Sequence, residues 1–363
     1  MKKRRKNQYI FAGEKPRSRV KGFLGGLAAV LMVALLIVAC ANFVTNHQVA
    51  LLRQKVTVQN LPDELENWSI LHISDLHGQT IGTDHSAVKK AIDGLRCSCV
   101  VFTGDMVGKD GDVQPLLDLI ALLPPETPKL LIPGDSDPPV LDPSAHGSLS
   151  VYTEWAQQLT DAGVTILDEP VCFTRGEGRK ERHIWFVPAS LYSLDIPAAR
   201  AAYQTQLDSL NANATSLDAD QAALKRVLEY QVARLDRIVA SIASMKDTDI
   251  QIAVTHVPLT HEHARTLVQW QDKDAVFALR SVSLILAGHY AGGQWRVPGI
   301  GPLYVPDYGW FPEDALIHGF NYVGSIPQYI SGGLAASPYY PWQPFRLFNA
   351  PEVTYITLTA RMT

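Results

Sequence analysis

"WSILHISDLH" (Trp68–His77) holds the pattern on which the fold is read. A short apolar, β-rich run ends abruptly in an aspartate and a histidine. The run does not alternate apolar with polar, so it suits a strand buried on both faces rather than one wetted on one side. The same figure recurs along the chain. "CVVFTG" (99–104) is followed by Asp105, "KLLIPG" (129–134) by Asp135 and Asp137, "IQIAVTH" (250–256) closes on His256, and "VSLILAGH" (282–289) on His289.

Helical patterns separate these runs, among them "HSAVKKAIDGL" (85–95) and "VQPLLDLIALL" (113–123). Strands alternating with helices predict an α/β domain. Residues 194–245 differ in being continuously helical, with Leu224, Leu228, Leu235, Ile238, Ile242 and Met245 on one stripe opposite Lys225, Arg234 and Asp236. The segment is long enough for two helices joined near Asn211–Ser216. It reads either as a helical insertion covering a sheet edge or capping a site, or as an ordinary packing layer.

Upstream, "GFLGGLAAVLMVALLIVACANFV" (Gly22–Val44) carries no charge and is long enough to cross the hydrocarbon core of a bilayer. Residues 1–21 hold nine Lys and Arg against Glu14 alone. The positive-inside rule keeps that basic segment in the cytoplasm and exports the rest of the chain. The expectation is a single-pass protein of the cell membrane, with residues 45–68 as a spacer and first strand and an extracytoplasmic domain over 69–363. A cleaved leader is the competing reading. "Ile37-Val38-Ala39-Cys40" loosely resembles a lipobox, which would make Cys40 a lipidated residue. "Arg4-Arg5" is too weakly framed to be a convincing twin-arginine signal.

The chain has 363 residues, 47% hydrophobic and 19% charged, which provides for a substantial core. Its net charge of −4 conceals a basic first segment and an acidic remainder, which argues against nucleic acid as a partner of the main domain. Four cysteines in such a length form neither a disulfide framework nor a zinc-type pair, so Cys97 and Cys99 read as free buried thiols. Oligomeric state has no signature in the sequence.

The polar residues that end the apolar runs carry the chemistry. Ligands collect beyond the carboxyl ends of strands in open α/β sheets, so side chains far apart in sequence would converge there. A single aspartate or histidine after a strand is usually a cap or turn residue. Coincidence at five strand ends points to a bound divalent cation, and mixed carboxylate and imidazole donors suit manganese, iron or zinc. His72, His85, His146, His261, His263 and His318 lack such placement and read as structural or surface residues.

The ordered set "Ser-Asp75-Leu-His77", "Gly-Asp105", "Gly-Asp135-Ser136-Asp137", "Thr-His256" and "Gly-His289-Tyr-Ala291-Gly-Gly-Gln" resembles the calcineurin-like metallophosphoesterases. Their segments run DxH, GD, GNH[DE], a lone His and GHxH, in that order. With "WRVPGIGPLYVPDYGWFP" (295–312) and "RLFNAPEVTYITL" (346–358), the chain is similar to the membrane-anchored bacterial branch. The resemblance covers roughly residues 55–363 outside the helical segment. It implies a four-layer α/β/β/α sandwich and one or two divalent ions per chain, with a metal-activated water attacking a phosphate ester. Carried across, Asp75 and His77 would hold the first ion and Asp105 would bridge. Asp135, His256 and His289 would complete the second.

Three positions depart from that pattern. Asp135 stands for asparagine and remains an oxygen ligand. Ser136 stands for the histidine that assists the leaving group, which leaves Asp137 without the side chain it would orient. Ala291 stands for the last histidine of the first ion. Both Ser136 and Ala291 are expected on loops just beyond strand ends, where a restored histidine would leave the core undisturbed. The reading is a membrane-anchored phosphoesterase acting on an extracytoplasmic ester, with a lipid-linked ester as one candidate. The alternatives are a degenerate metal- or phosphate-binding pseudoenzyme with little turnover, and an interaction protein using the helical segment.

Overall fold

A computed structural model describes residues 19–144, 150–212, 217–272 and 274–361. It divides into two units, one ending at Val44 and one comprising residues 45–363. The first is the helix α1, Arg19–Asn46, which runs two residues into the second unit. Its stretch Lys21–Asn46 is 26 residues long, about 39 Å at the α-helical rise, and none of its most apolar window is buried. By length and composition this helix can cross a membrane. His146 lies outside the described residues.

The second unit contains two six-stranded sheets. The first is built from β1 (Ala50–Thr57), β2 (Ser69–Ile73), β3 (Cys99–Phe102), β4 (Lys129–Leu131) and β5 (Val164–Ile166). The second begins with β6 (Val171–Arg175), β7 (Arg182–Pro188), β8 (Ile250–Val254) and β9 (Val282–Ala287). Two small hairpins come next in the chain, β10 (Arg296–Val297) with β11 (Gly301–Pro302), and β12 (Tyr304–Val305) with β13 (Gly309–Trp310). Then β14 (Gly319–Val323) and β15 (Ile326–Ile330) join the second sheet, and β16 (Glu352–Thr359) returns to the first.

The order in the first sheet is β1-β16-β2-β3-β4-β5 and in the second β14-β15-β9-β8-β7-β6. The run β2 to β5 is parallel, as is β7-β8-β9-β15. All five apolar runs named from the sequence lie within these parallel portions. The carboxyl ends of β2, β3 and β4 therefore point one way in one sheet, and those of β8 and β9 share an end in the other.

The sheets face each other through Ile70, Val101 and Leu130 on one side and Phe186, Ile252 and Leu286 on the other. Helices α2 (Ser86–Ile92), α3 (Gln114–Ile120) and α4 (Glu154–Asp161) cover the outer face of the first sheet, where Val88, Leu116 and Trp155 meet Leu71, Phe102 and Leu131. Helices α5 (Ile196–Ala212), α6 (Ala219–Ser244) and α7 (His261–Trp270) cover the second, where Leu235 and Ile238 meet Trp185, Val187 and Ile285. Both strand faces are thus apolar because both are covered, which is why these runs lack alternation. The layers are α/β/β/α, as expected from the resemblance.

The helical segment 194–245 contains α5 and α6, and residues 213–216 of the joint read near Asn211–Ser216 lie outside the described residues. Its stripe residues Leu235, Ile238 and Met245 pack on the outer sheet face, while Leu224 is exposed. A capping box at Asp218 and Gln221 starts α6. Cys99 is buried and Cys97 partly so, both as free thiols.

Phe186 sits fully buried between the sheets with an edge-on contact to Phe173. Phe186→Ala is expected to cost about 3–5 kcal/mol of unfolding free energy, read from denaturant titration of the purified chain.

Candidate metal centre

Loops leaving both sheets are stitched together by backbone hydrogen bonds. Asp75 N–H donates to Gly104 O at 3.1 Å and His77 N–H to Asp105 O at 2.7 Å, zipping the β2 exit to the β3 exit. Gly288 N–H donates to His256 O at 2.9 Å and joins the β8 and β9 exits. The close approach of β3 and β4 needs glycine: a Cβ on Gly134 would collide with the backbone and carboxylate of Asp105. A Cβ on Gly104 would lie 2.6 Å from His256 Nδ1.

The six residues singled out as ligands converge at this point. Asp75, His77 and Asp105 form one group whose donor atoms all lie within 4.8 Å of one another, and Asp135, His256 and His289 form another. Asp105 links the groups. Its Oδ2 lies 3.8 Å from His77 Nδ1, and its Oδ1 lies 3.3 Å from His256 Nε2. His289 Nδ1 lies 3.1 Å from His256 Nε2 and 3.6 Å from Asp135 Oδ2. Asp75, His77, Asp105 and His289 have φ of 54°, 49°, 53° and 80°. That left-handed region costs residues other than glycine roughly 1–2 kcal/mol each and concentrates at functional sites.

Hydrogen bonds fix how these side chains point. His256 Nδ1 lies 2.8 Å from the Thr103 carbonyl, which makes Nδ1 a donor and turns Nε2 inward. Metal-binding histidines are commonly oriented this way. His77 Nδ1 pairs with Ser136 Oγ at 3.1 Å, and Ser136 N–H donates to Asp105 Oδ1 at 2.7 Å. Asp137 accepts from Val107 N–H at 2.7 Å and Gly134 N–H at 2.8 Å. Ser136 thus occupies the position between the two aspartate loops. Asp137 is engaged by backbone and braces the β3 and β4 exits.

Electrostatics show what the centre lacks. Asp75 is fully buried, and neither of its carboxylate oxygens has a donor in hydrogen-bonding geometry; His77 Nε2 is likewise buried without a hydrogen bond, 4.0 Å from Asp75 Oδ1. Burial pushes the Asp75 carboxyl up to about 7, with the Asp105 charge adding to the rise and that of His256 opposing it. Burial pulls the His77 imidazole down to about 4. Burial alone would raise Asp105, yet its bond to His256, the charge of that ring and the Ser136 N–H hold it well below the usual carboxylate range. Burial alone would lower His256, yet Asp105 and Asp75 push it up to about 9. Burial and the neighbouring His256 charge lower His289. Three orphaned donor atoms in a carboxylate–imidazole setting fit a divalent cation, which would satisfy them together.

Ala291 corrects one expectation. It is completely buried, has φ 44°, and packs with Tyr290, Val305 and Tyr340, while its carbonyl accepts from Asn349 Nδ2 at 2.7 Å. A histidine there would overfill a packed cluster at a strained backbone position, so the core would be disturbed.

Sequence reading did not single out Arg346 or Tyr339. The guanidinium of Arg346 is buried and donates to the carbonyls of Ala335, Gly332, Asn349 and Ala350. It clamps the loop after β15, whose Leu334 and Ala335 N–H groups donate to Ser74 O and Asp75 O. The ring of Tyr339 lies 4.6 Å from that of His289. Arg346 is the only Lys or Arg between Arg296 and Arg361, which was the available signal. A cleft of about 630 Å³ lined by His77, Ser136, Lys109, Tyr340, Pro341 and Pro344 opens beside the first group.

The α/β/β/α sandwich thus brings two Asp/His groups together, with Asp105 lying between them. Residues 69–292 match the Calcineurin-like phosphoesterase family, and the chain belongs to that family. Its members bind divalent metals and hydrolyse phosphoesters. The chain is 23% identical over 349 residues to the uncharacterized metallophosphoesterase YkuE of Bacillus subtilis (strain 168), across 94% of this chain and 96% of that protein. Among solved structures, the phosphopantetheinyl hydrolase PptH of Mycobacterium tuberculosis aligns with TM-score 0.35 and 14% identity, over 78% of this chain and 96% of that one.

The buried Asp75 carboxyl generates a pH-dependent test. Its value rises from 3.8 to about 7 on folding, so its contribution to stability is fully present below 3.8 and lost as pH rises through 7. In the metal-stripped chain at about pH 8, Asp75→Asn should raise stability by up to about 4 kcal/mol, and the gain should vanish near pH 4. With divalent metal present the order should reverse, as read from denaturant unfolding with and without chelator.

Proposed function

We propose that this chain is a membrane-anchored phosphoesterase that hydrolyses an extracytoplasmic phosphate ester. Asp75, His77 and Asp105 would hold one divalent ion, and Asp105, Asp135, His256 and His289 a second, with manganese, iron or zinc suited to the donors. The observation that carries this reading is the meeting of two Asp/His groups at Asp105, with three buried donor atoms of Asp75 and His77 left without a hydrogen bond.

Bound divalent ions supply Lewis-acid charge to a phosphoryl group and lower the pKa of water. The chain's own residues then position and orient. The cleft admits the ester beside His77, Lys109 brings a cation to its rim, and Ser136 holds His77 and Asp105 in register. Asp137 fixes the loop that carries Ser136. A positioned general acid contributes about 10²–10⁴-fold, so serine in place of the family's histidine predicts slow turnover of poor leaving groups.

That substitution, together with the sealed environment of Ala291, favours a second reading: a metal- or phosphate-binding protein with little turnover. Hydrolysis of generic phosphodiesters and phosphomonoesters by the purified full chain with added manganese separates the two. Turnover that disappears in Asp105→Asn supports the enzyme, and metal binding without turnover supports the alternative. Asp105→Asn should deplete bound metal more than Asp75→Asn does, because Asp105 borders both groups. Equal, full metal content in both variants would refute the assignment.

The anchor and its orientation rest on the apolar α1 and the basic residues 1–21. A reporter active only in the cytoplasm, fused after Thr363, should be silent, and a reporter active only outside should work.

A further inference from the structure

Trp310, Phe311, Trp342 and Phe345 lie together on the surface, 63%, 54%, 43% and 46% exposed. Ring centroids link them: Trp310–Trp342 at 5.7 Å, Trp310–Phe311 at 6.4 Å, and Trp295 to Trp342 and Phe345 at 5.6 and 5.4 Å. Ile300, on the neighbouring hairpin turn, is 64% exposed. Clustered exposed apolar groups of this kind mark an interaction surface. Part of the cluster has an internal task, since Trp295 Nε1 donates to Phe345 O at 2.8 Å and fastens two loops. That task leaves Trp310 and Phe311 unexplained. Phe311 sits at φ 52°, a strained conformation for an aromatic residue, with its ring more than half exposed.

We propose that this aromatic patch inserts into the outer interface of the bilayer that α1 spans, so that the catalytic cleft opens at the lipid surface. The proposal rests on the reading of α1 as a membrane anchor. Two observations select a bilayer as the occupant. Asn46, the last residue of α1, donates from Nδ2 to the Arg346 carbonyl at 2.6 Å, which ties the residue where the apolar helix ends to the neighbour of Phe345. Tryptophan and phenylalanine also suit the boundary between headgroups and acyl chains, where an apolar ring is buried beside polar groups. The cation beside the patch, Arg296, is paired with Asp314 at 2.7 Å. Pro341 and Pro344 line the cleft and flank Trp342 and Phe345 in sequence, so docking would present the cleft to an ester carried on a lipid headgroup.

The chain has seven tryptophans, none of them in α1, so tryptophan emission reports on the domain alone. The full chain would be reconstituted into nanodiscs of phosphatidylcholine with or without brominated acyl chains. Emission should be quenched by the brominated lipid, and Trp310→Phe with Trp342→Phe should lose most of that quenching while keeping the surface apolar. Quenching should persist at high salt. Absence of quenching, or quenching unchanged in the double variant, would overturn the proposal. Alkaline carbonate extraction tests the anchor separately. A chain that is extracted yet quenched refutes the anchor and keeps the patch, whereas one that is retained yet unquenched keeps the anchor and refutes the patch.

Discussion

Holding two carboxylates out of water within reach of each other is the constraint around which this domain is organised. Asp75 is sealed completely and Asp105 nearly so. A buried charge is costly unless it is paired or coordinates a metal. Asp105 is compensated internally by His256 and the Ser136 N–H. Asp75 is compensated less fully: the charges of His256 and Arg346 act on it, yet burial still prevails, and a cation would make up the remainder. That asymmetry explains why the group around Asp75 is the electrostatically incomplete one.

Meeting the constraint requires several chain segments at one point, and the backbone is shaped accordingly. Four of the six ligand candidates adopt left-handed φ, and Gly104 and Gly134 leave no room for a side chain where strand exits cross. The loop after β15 then closes over Asp75 and is held by the buried Arg346. Such strain persists only where surrounding structure over-determines it. Here the two sheets and the closing strand β16, which pairs with both β1 and β2, supply that frame.

The two positions read from the sequence as departures, 136 and 291, have different surroundings. Ser136 makes a polar contact to His77 at 3.1 Å. Ala291 has instead joined an apolar cluster with Tyr290 and Tyr340. Position 136 thus faces the Asp/His groups through a polar contact, whereas position 291 faces an apolar cluster.

The sequence by itself determined the five buried parallel strands, the ligand candidates at their ends, the family and the apolar helix. Each is a local pattern: an unalternating apolar run, a polar residue directly after it, or an uncharged stretch of bilayer length. Tertiary structure decided the rest. Which of two faces α5 and α6 cover depends on partners far away in the chain, and a helical stripe alone does not name them. That Asp137 braces backbone, that Ala291 is packed shut and that Arg346 clamps the loop over Asp75 are outcomes of contacts between segments separated in the chain. Periodicity carries no record of such contacts, because they arise only when the two sheets close on one another.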